Sequence, residues 1–234
     1  MQNKSLVKGI VLLVSFAAIL VLIFMPIYGN DRNGLMFSDD FFNALAKGSS
    51  NFMDNMAKLA QTFVGREIAV DLKMATTEEA RKVERLFAAA GAQVAMEETT
   101  LRIRGDLGRI MLQAVADARV MFDNQGEKLY GQYKYDAKGV LKHWWRSFGL
   151  LDKALKKDNL FNEAKAVDEI AKRALEPAYN FYGIVPAQVR EKAGMLTFML
   201  VFYVIYTLWF GYAIYELFEG LGLSAAKATV KKEV

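Results

Sequence analysis

The chain offers little chemistry. It contains one histidine and no cysteine, so His143, which precedes Trp144 and Trp145, has no second imidazole or thiolate with which to hold a metal or haem. It reads as a packing or surface residue. The lack of cysteine also removes disulfides and a thiol nucleophile. Carboxylates occur as adjacent pairs, Asp39 and Asp40, Glu78 and Glu79, and Glu97 and Glu98. A hydrolytic acid and base pair is defined by separation in space, which adjacency in sequence does not create; helix starts and a turn account for all three. Asp123, Asn124, Gln125, Gly126 and Glu127 make only a fragment of a calcium loop. No phosphate-cradling glycine loop and no serine elbow occurs. The expectation is a noncatalytic protein with no cofactor and no metal.

Residues suited to binding are more evident near the carboxyl terminus. From Ala193 to Tyr215 no charged residue interrupts the chain, and aromatic side chains from Phe198 to Tyr215 wrap around the predicted helix. Tyr203, Thr207 and Gly211, spaced by four, share one helix face. In lipid, helices associate through small residues and interhelical hydrogen bonds, because no hydrophobic force presses them together. This face is the predicted membrane-helix interface, with the rival reading that the tyrosines reach the headgroups.

The elements that position these residues follow from the distribution of charge. The chain is 53% hydrophobic and 24% charged, too apolar for an ordinary soluble domain and too charged for a bundle wholly in lipid. The two characters are segregated. Gly9 to Tyr28 forms a first charge-free run, and about 20 residues cross a hydrocarbon core. A cleaved signal peptide is the competing reading, disfavoured because the apolar run is long and no small-x-small cleavage site follows Pro26. Lys4 and Lys8 precede the first run, and Lys227, Lys231 and Lys232 follow the second. Basic residues favour the cytoplasmic side, so both termini are expected there and the middle outside.

Within the middle, Ser38 with Asp39 and Asp40 reads as a helix start. Phe42, Leu45, Ser49, Phe52, Met56, Leu59 and Phe63 continue it as a short heptad seam. Ile68, Val70, Leu72 and Met74 alternate as a half-buried strand. Thr76 and Glu79 suggest a capping box for a helix that Gly91 closes. Strands with Val94 and Met96, then Leu101 and Ile103, follow, and Asp106 caps the next helix. The unit should place Thr100, Arg102 and Arg104 on the sheet face away from its helices. A helix bearing Leu141, Trp144, Phe148, Leu151 and Leu155 is expected to pair with one bearing Phe161, Ala164, Ile170, Ala171, Ala174 and Leu175, kinked at Pro177, before Pro186 opens the last helix.

The predicted fold class is an α+β membrane protein. Two transmembrane helices, N- and C-terminal, flank a mostly helical exported domain that contains a small βαββα sheet unit. Its expected segments are a cytoplasmic amino terminus (1–8), transmembrane helix 1 (9–28), an amphipathic helical segment (29–66), the βαββα unit (67–123), a helical hairpin (124–185), a helix containing transmembrane helix 2 (186–218) and a cytoplasmic tail (219–234). The net charge of +4 comes from interspersed signs, which excludes a basic nucleic-acid stripe. Expected partners are the lipid bilayer and either other membrane-protein subunits or a second copy of the chain. The expected function is an accessory or scaffold subunit of an envelope complex in a bacterial inner membrane, with a periplasmic interaction domain. A periplasmic ligand-sensing module signalling through the second span is the alternative; short termini without an output domain count against it.

Overall fold

The structure, a computed structural model, describes residues 2–223. Lys227, Lys231 and Lys232 and most of the expected tail lie outside the described residues. The chain divides into two compact units, one formed by its two ends and the other by Asn43–Pro186.

In the unit formed by the ends, α1 (Gln2–Phe24) and α10 (Val189–Gly220) are long and apolar enough to cross a membrane. At 1.5 Å per residue they extend about 35 and about 48 Å. Helix α1 stops short of Tyr28 because Pro26 biases Met25 away from helical dihedrals. The two helices pack antiparallel, with Leu6 at Gly220, Gly9 at Leu217 and Phe16 stacked on Tyr206 at a 4.2 Å centroid distance. A Cβ at Gly9 would lie 2.7 Å from the Leu217 amide nitrogen, and one at Gly220 would lie 2.5 Å from the Leu6 Cα. Backbone therefore meets backbone at both glycines, the close approach that lipid-embedded helices use. Lys8 Nζ donates to Glu216 Oε1 and to Tyr212 Oη, both at 2.7 Å, tying the same end of the pair together.

In the Asn43–Pro186 unit, period-two alternation becomes β1 (Glu67–Lys73), with Ile68, Val70 and Leu72 buried. Thr76 Oγ1 accepts from the Glu79 amide, and Glu79 Oε2 accepts from the Ala75 amide, which starts α4 (Thr77–Ala89) by a reciprocal cap. Strands β2 (Gln93–Glu97) and β3 (Thr100–Asp106) form a hairpin turning at Glu98, whose φ is 55°. Asp106 Oδ1 accepts from the Arg109 amide at 3.1 Å and starts α5 (Leu107–Phe122). The sheet order is β1-β3-β2, antiparallel throughout. Ile103 lies between Val70 and Val94, and Leu101 between Leu72 and Met96, so one face is continuously apolar. Arg102 and Arg104 take the opposite face, where Arg102 pairs with Asp71 and Glu97.

Three short or medium helices follow, α6 (Glu127–Tyr133), α7 (Ala137–Lys157) and α8 (Phe161–Ile170), then a π-helical turn (Ala171–Leu175) and α9 (Glu176–Asn180). The α7 stripe of Leu141, Trp144, Phe148, Leu151 and Leu155 is fully buried. It packs against α8, α4 and β1, so a single core runs from Met53 to Ala178 and joins the sheet to the hairpin.

Several local expectations are overturned. Helix α2 (Gly34–Ser49) begins four residues before Ser38, because Asn33 Oδ1 accepts from the Met36 amide; Ser38 Oγ instead donates back to the Gly34 carbonyl. The heptad seam is not one helix. It breaks at Ser50–Phe52, and α3 (Met53–Gln61) carries its second half. Phe161 is 61% exposed, since it opens α8 at the hairpin turn and does not reach the core. Pro177 does not kink a continuous α-helix; having no N–H to give the Arg173 carbonyl, it follows a widened π turn that absorbs the mismatch. The last helix starts at Val189, after Gln188 in an extended conformation, and not at Pro186.

Candidate functional site

On α10, the face read as an interface stays open. Helix α1 lies against Tyr206, Phe210, Leu217 and Gly220, and the Tyr203, Thr207 and Gly211 stripe points elsewhere. Tyr203 is 67% exposed, and a Cβ at Gly211 would meet nothing within 4 Å. Thr207 Oγ1 donates to the Tyr203 carbonyl at 2.7 Å, which satisfies the hydroxyl within its own helix. The structure thus brings the three residues together on one uncovered surface. Tyr206 Oη, on the ring stacked against Phe16, and Trp209 Nε1 are enclosed and have no hydrogen-bond partner among the described residues.

A buried carboxylate forms the most developed polar cluster of the Asn43–Pro186 unit. Asp117 sits on the apolar face of α5, 2% exposed. Its Oδ2 accepts from Tyr133 Oη at 2.6 Å and from Trp144 Nε1 at 2.7 Å, while Oδ1 accepts from Gln113 Nε2 at 2.9 Å. Burial holds its carboxyl above the usual carboxylate range, against the lowering effect of these three hydrogen bonds. Burial, reinforced by the nearby Asp117 charge, likewise raises the Tyr133 and Tyr135 phenols. The enclosed carboxylate presents almost no surface to a substrate, and its bonds tie α5, α6 and α7 together. Sequence reading missed it, although a carboxylate between Ala114 and Ala118 on a buried face was the available signal.

His143 stands beside this cluster without joining it. Its Nδ1 lies 3.3 Å from Tyr135 Oη, the two rings meeting edge to face at 5.5 Å. Burial lowers its pKa, favouring the neutral imidazole at neutral pH. Among the described residues no group of three or more histidine and acidic side chains is placed to hold a metal ion.

The acidic pairs serve other contacts. Asp40 pairs with Arg32 at 2.7 Å, Glu78 with Lys82 at 2.7 Å, Glu79 with Arg146 at 2.9 Å and Glu97 with Arg102 at 3.3 Å. In the fragmentary calcium loop, Asn124 takes a left-handed backbone, φ 60°, and serves a different cation. Its Oδ1 accepts from Lys47 Nζ at 3.0 Å and from the Gly183 amide at 2.7 Å, while its Nδ2 donates to the Ile184 carbonyl at 2.9 Å. Lys47, 1% exposed, also donates to the carbonyls of Phe181 and Ile184. Three acceptors saturate the ammonium, and burial lowers its pKa. The cluster fastens α2 to the end of α5 and to the 181–184 turn.

Comparison with family models, curated proteins and solved structures returns no match to this chain.

Proposed function

We propose that the chain is a noncatalytic accessory or scaffold subunit of an envelope membrane complex. In this reading α1 and α10 span a bacterial inner membrane, both termini are cytoplasmic, and the Asn43–Pro186 unit is periplasmic. The observation that carries the proposal is the division of α10 into two sides. One is occupied by α1 through glycine-mediated contact, and the other, with Tyr203, Thr207 and Gly211, is uncovered. A small residue flanked by open space on a lipid-facing helix suits the approach of another helix. Lys4 and Lys8 on α1 favour a cytoplasmic end, and the Lys8–Glu216 bond places the far end of α10 beside it.

Purification of the full chain in mild detergent, with mass-spectrometric identification of what copurifies, tests the association. A reproducible membrane-protein partner, or a defined self-assembly, is expected; a monomer with no partner contradicts the reading. Orientation has its own test. Thr100→Cys is expected to react with a membrane-impermeant thiol reagent on spheroplasts, and Lys4→Cys only after permeabilisation. The reverse pattern would invert the topology.

A further inference from the structure

Strand β2 is an outer strand of the sheet, paired with β3 alone. Along an antiparallel ladder each residue turns its N–H and C=O groups to one side only, and successive residues alternate. The Met74 amide donates to the Thr99 carbonyl, and the Leu107 amide to the Arg66 carbonyl. Counted by twos from either bond, Leu101 and Ile103 turn toward β1, while Arg102 and Arg104 turn toward Ala95 and Gln93 of β2. The backbone groups of Val94 and Met96 therefore point away from the sheet. No backbone bond from a turn or loop reaches them among the described residues. Such an edge is a template for another strand, and proteins that must avoid pairing blunt it with lysine, proline or a bulge. Strand β2 consists of Gln93, Val94, Ala95, Met96 and Glu97 in unbroken register with β3, so none of these devices is present.

We propose that the free edge of β2 is an interface for a second copy of this chain, the two strands pairing antiparallel about a two-fold axis at Ala95. The strand is complementary to itself in this register. Val94 meets Met96 of the other copy on both sides of the axis, so each outward N–H and C=O finds a partner. Val94 and Met96 are half-buried on the apolar face, and their meeting continues that face from one sheet into the next. On the polar face Ala95 meets Ala95, and Gln93 meets Glu97, an amide donor opposite a carboxylate with no like charges opposed. Moving the axis to Val94 or Met96 would cut the paired segment from the full five residues of β2 to three. Full overlap and matched side chains thus select a second copy as the occupant. The inference stands on the sheet and does not depend on the membrane reading above. Five residues a side make less than a standard interface, so the pairing is reversible and suits a covalent trap.

The test is disulfide trapping of the full-length protein in mild detergent, which is clean because the chain has no cysteine of its own. Ala95→Cys places thiols on the axis, where opposed Cα atoms lie about 4.5 Å apart, within disulfide range. Gln93→Cys is the exposed control, its two copies out of step by four residues and about 14 Å apart. Under mild oxidation the Ala95→Cys chain is expected to form a covalent dimer at least about tenfold faster than the Gln93→Cys chain. The chain carrying both Gln93→Cys and Glu97→Cys, which face each other across the axis, is expected to match Ala95→Cys. Val94→Pro removes one outward N–H and no bond to β3, a position where an edge strand tolerates proline. Added to Ala95→Cys, it is expected to slow the dimer to the Gln93→Cys rate with the unfolding temperature close to the parent's. The comparison of the cysteine variants with one another stands whether or not the proline variant folds. Equal rates for Ala95→Cys and Gln93→Cys, a double variant no faster than Gln93→Cys, or capture of a different protein at position 95 would each overturn the proposal. So would an Ala95→Cys dimer that forms as fast in a folded Val94→Pro chain.

Discussion

Truncating Asp117 to alanine is expected to destabilise the Asn43–Pro186 unit by about 3–5 kcal/mol, because the enclosed Tyr133 and Trp144 donors and the half-buried Gln113 amide lose their acceptor and a cavity opens among them. Tyr133 Oη, Trp144 Nε1 and Gln113 Nε2 all point at this carboxylate, which is 2% exposed. Asp117→Asn should behave differently. Its amide oxygen still accepts from Tyr133 and Trp144, and rotation of the Gln113 amide supplies an acceptor for the new NH2 group. It is expected to cost under about 1 kcal/mol at neutral pH. The pH dependence separates the two further. A carboxyl whose folded pKa is raised binds its proton more tightly in the folded chain, so its contribution to stability falls as pH rises from the ordinary aspartate value near 3.8 through the raised one, then levels off. The asparagine variant lacks that loss and should gain on the parent across the same window. Unfolding followed by tryptophan fluorescence at a series of pH values measures both effects. Equal destabilisation by alanine and asparagine would show that the charge, and not hydrogen-bond acceptance, holds the cluster.

Asn124→Ala is expected to cost about 3 kcal/mol or more. It removes an acceptor from the buried Lys47 ammonium and from the Gly183 amide, and places a β-carbon without a polar side chain in the left-handed region. Lys47→Met should cost less, about 1–2 kcal/mol. Removing that cation leaves every former acceptor with another donor, since Asn124 Oδ1 keeps the Gly183 amide, the Phe181 carbonyl keeps the Ile184 amide, and the Ile184 carbonyl keeps Asn124 Nδ2. Combined with Asn124→Ala, Lys47→Met should add little, because the cation left under-satisfied by the first change is then gone. Thermal unfolding of the parent and the three variants completes the cycle. Strict additivity, or a methionine substitution as damaging as the alanine one, would mean that the ammonium supports the turn by itself.

The βαββα order was legible because each piece carried both a periodicity and a stop. Ile68, Val70 and Leu72 alternate, Thr76 and Asp106 cap, and Glu98 turns, all within short spans of sequence. Where two local signals competed, as Asn33 and Ser38 do for the start of α2, spacing alone did not choose between them. The break at Ser50–Phe52 was hidden because apolar residues continued at helical intervals across it. Asp117 could be suspected from its place on the buried face of α5, but its partners could not, and Lys47 gave no signal. Lys47 looks like a solvated charge until its partners arrive, and those include carbonyls 134 and 137 residues away. Likewise, Tyr203, Thr207 and Gly211 share a face as a matter of helix geometry. That α1 would take the other side of α10 depended on Gly9 and Gly220, whose roles emerge only when the two ends of the chain meet.

The most direct test of the subunit reading is Gly211→Leu, compared with the parent by native-gel migration and crosslinking in the same detergent. A Cβ at this position meets open space, so α10 and its packing with α1 should tolerate the change. Leucine is also apolar enough for insertion and a better helix former than glycine. Loss of the larger assembly, with membrane insertion and unfolding temperature unchanged, is the predicted result, because the bulkier side chain would hold a partner helix away from Tyr203 and Thr207. If the variant and the parent migrate as the same assembly with the same crosslinks, that face is lipid-exposed and the account of α10 as the contact with a partner is wrong.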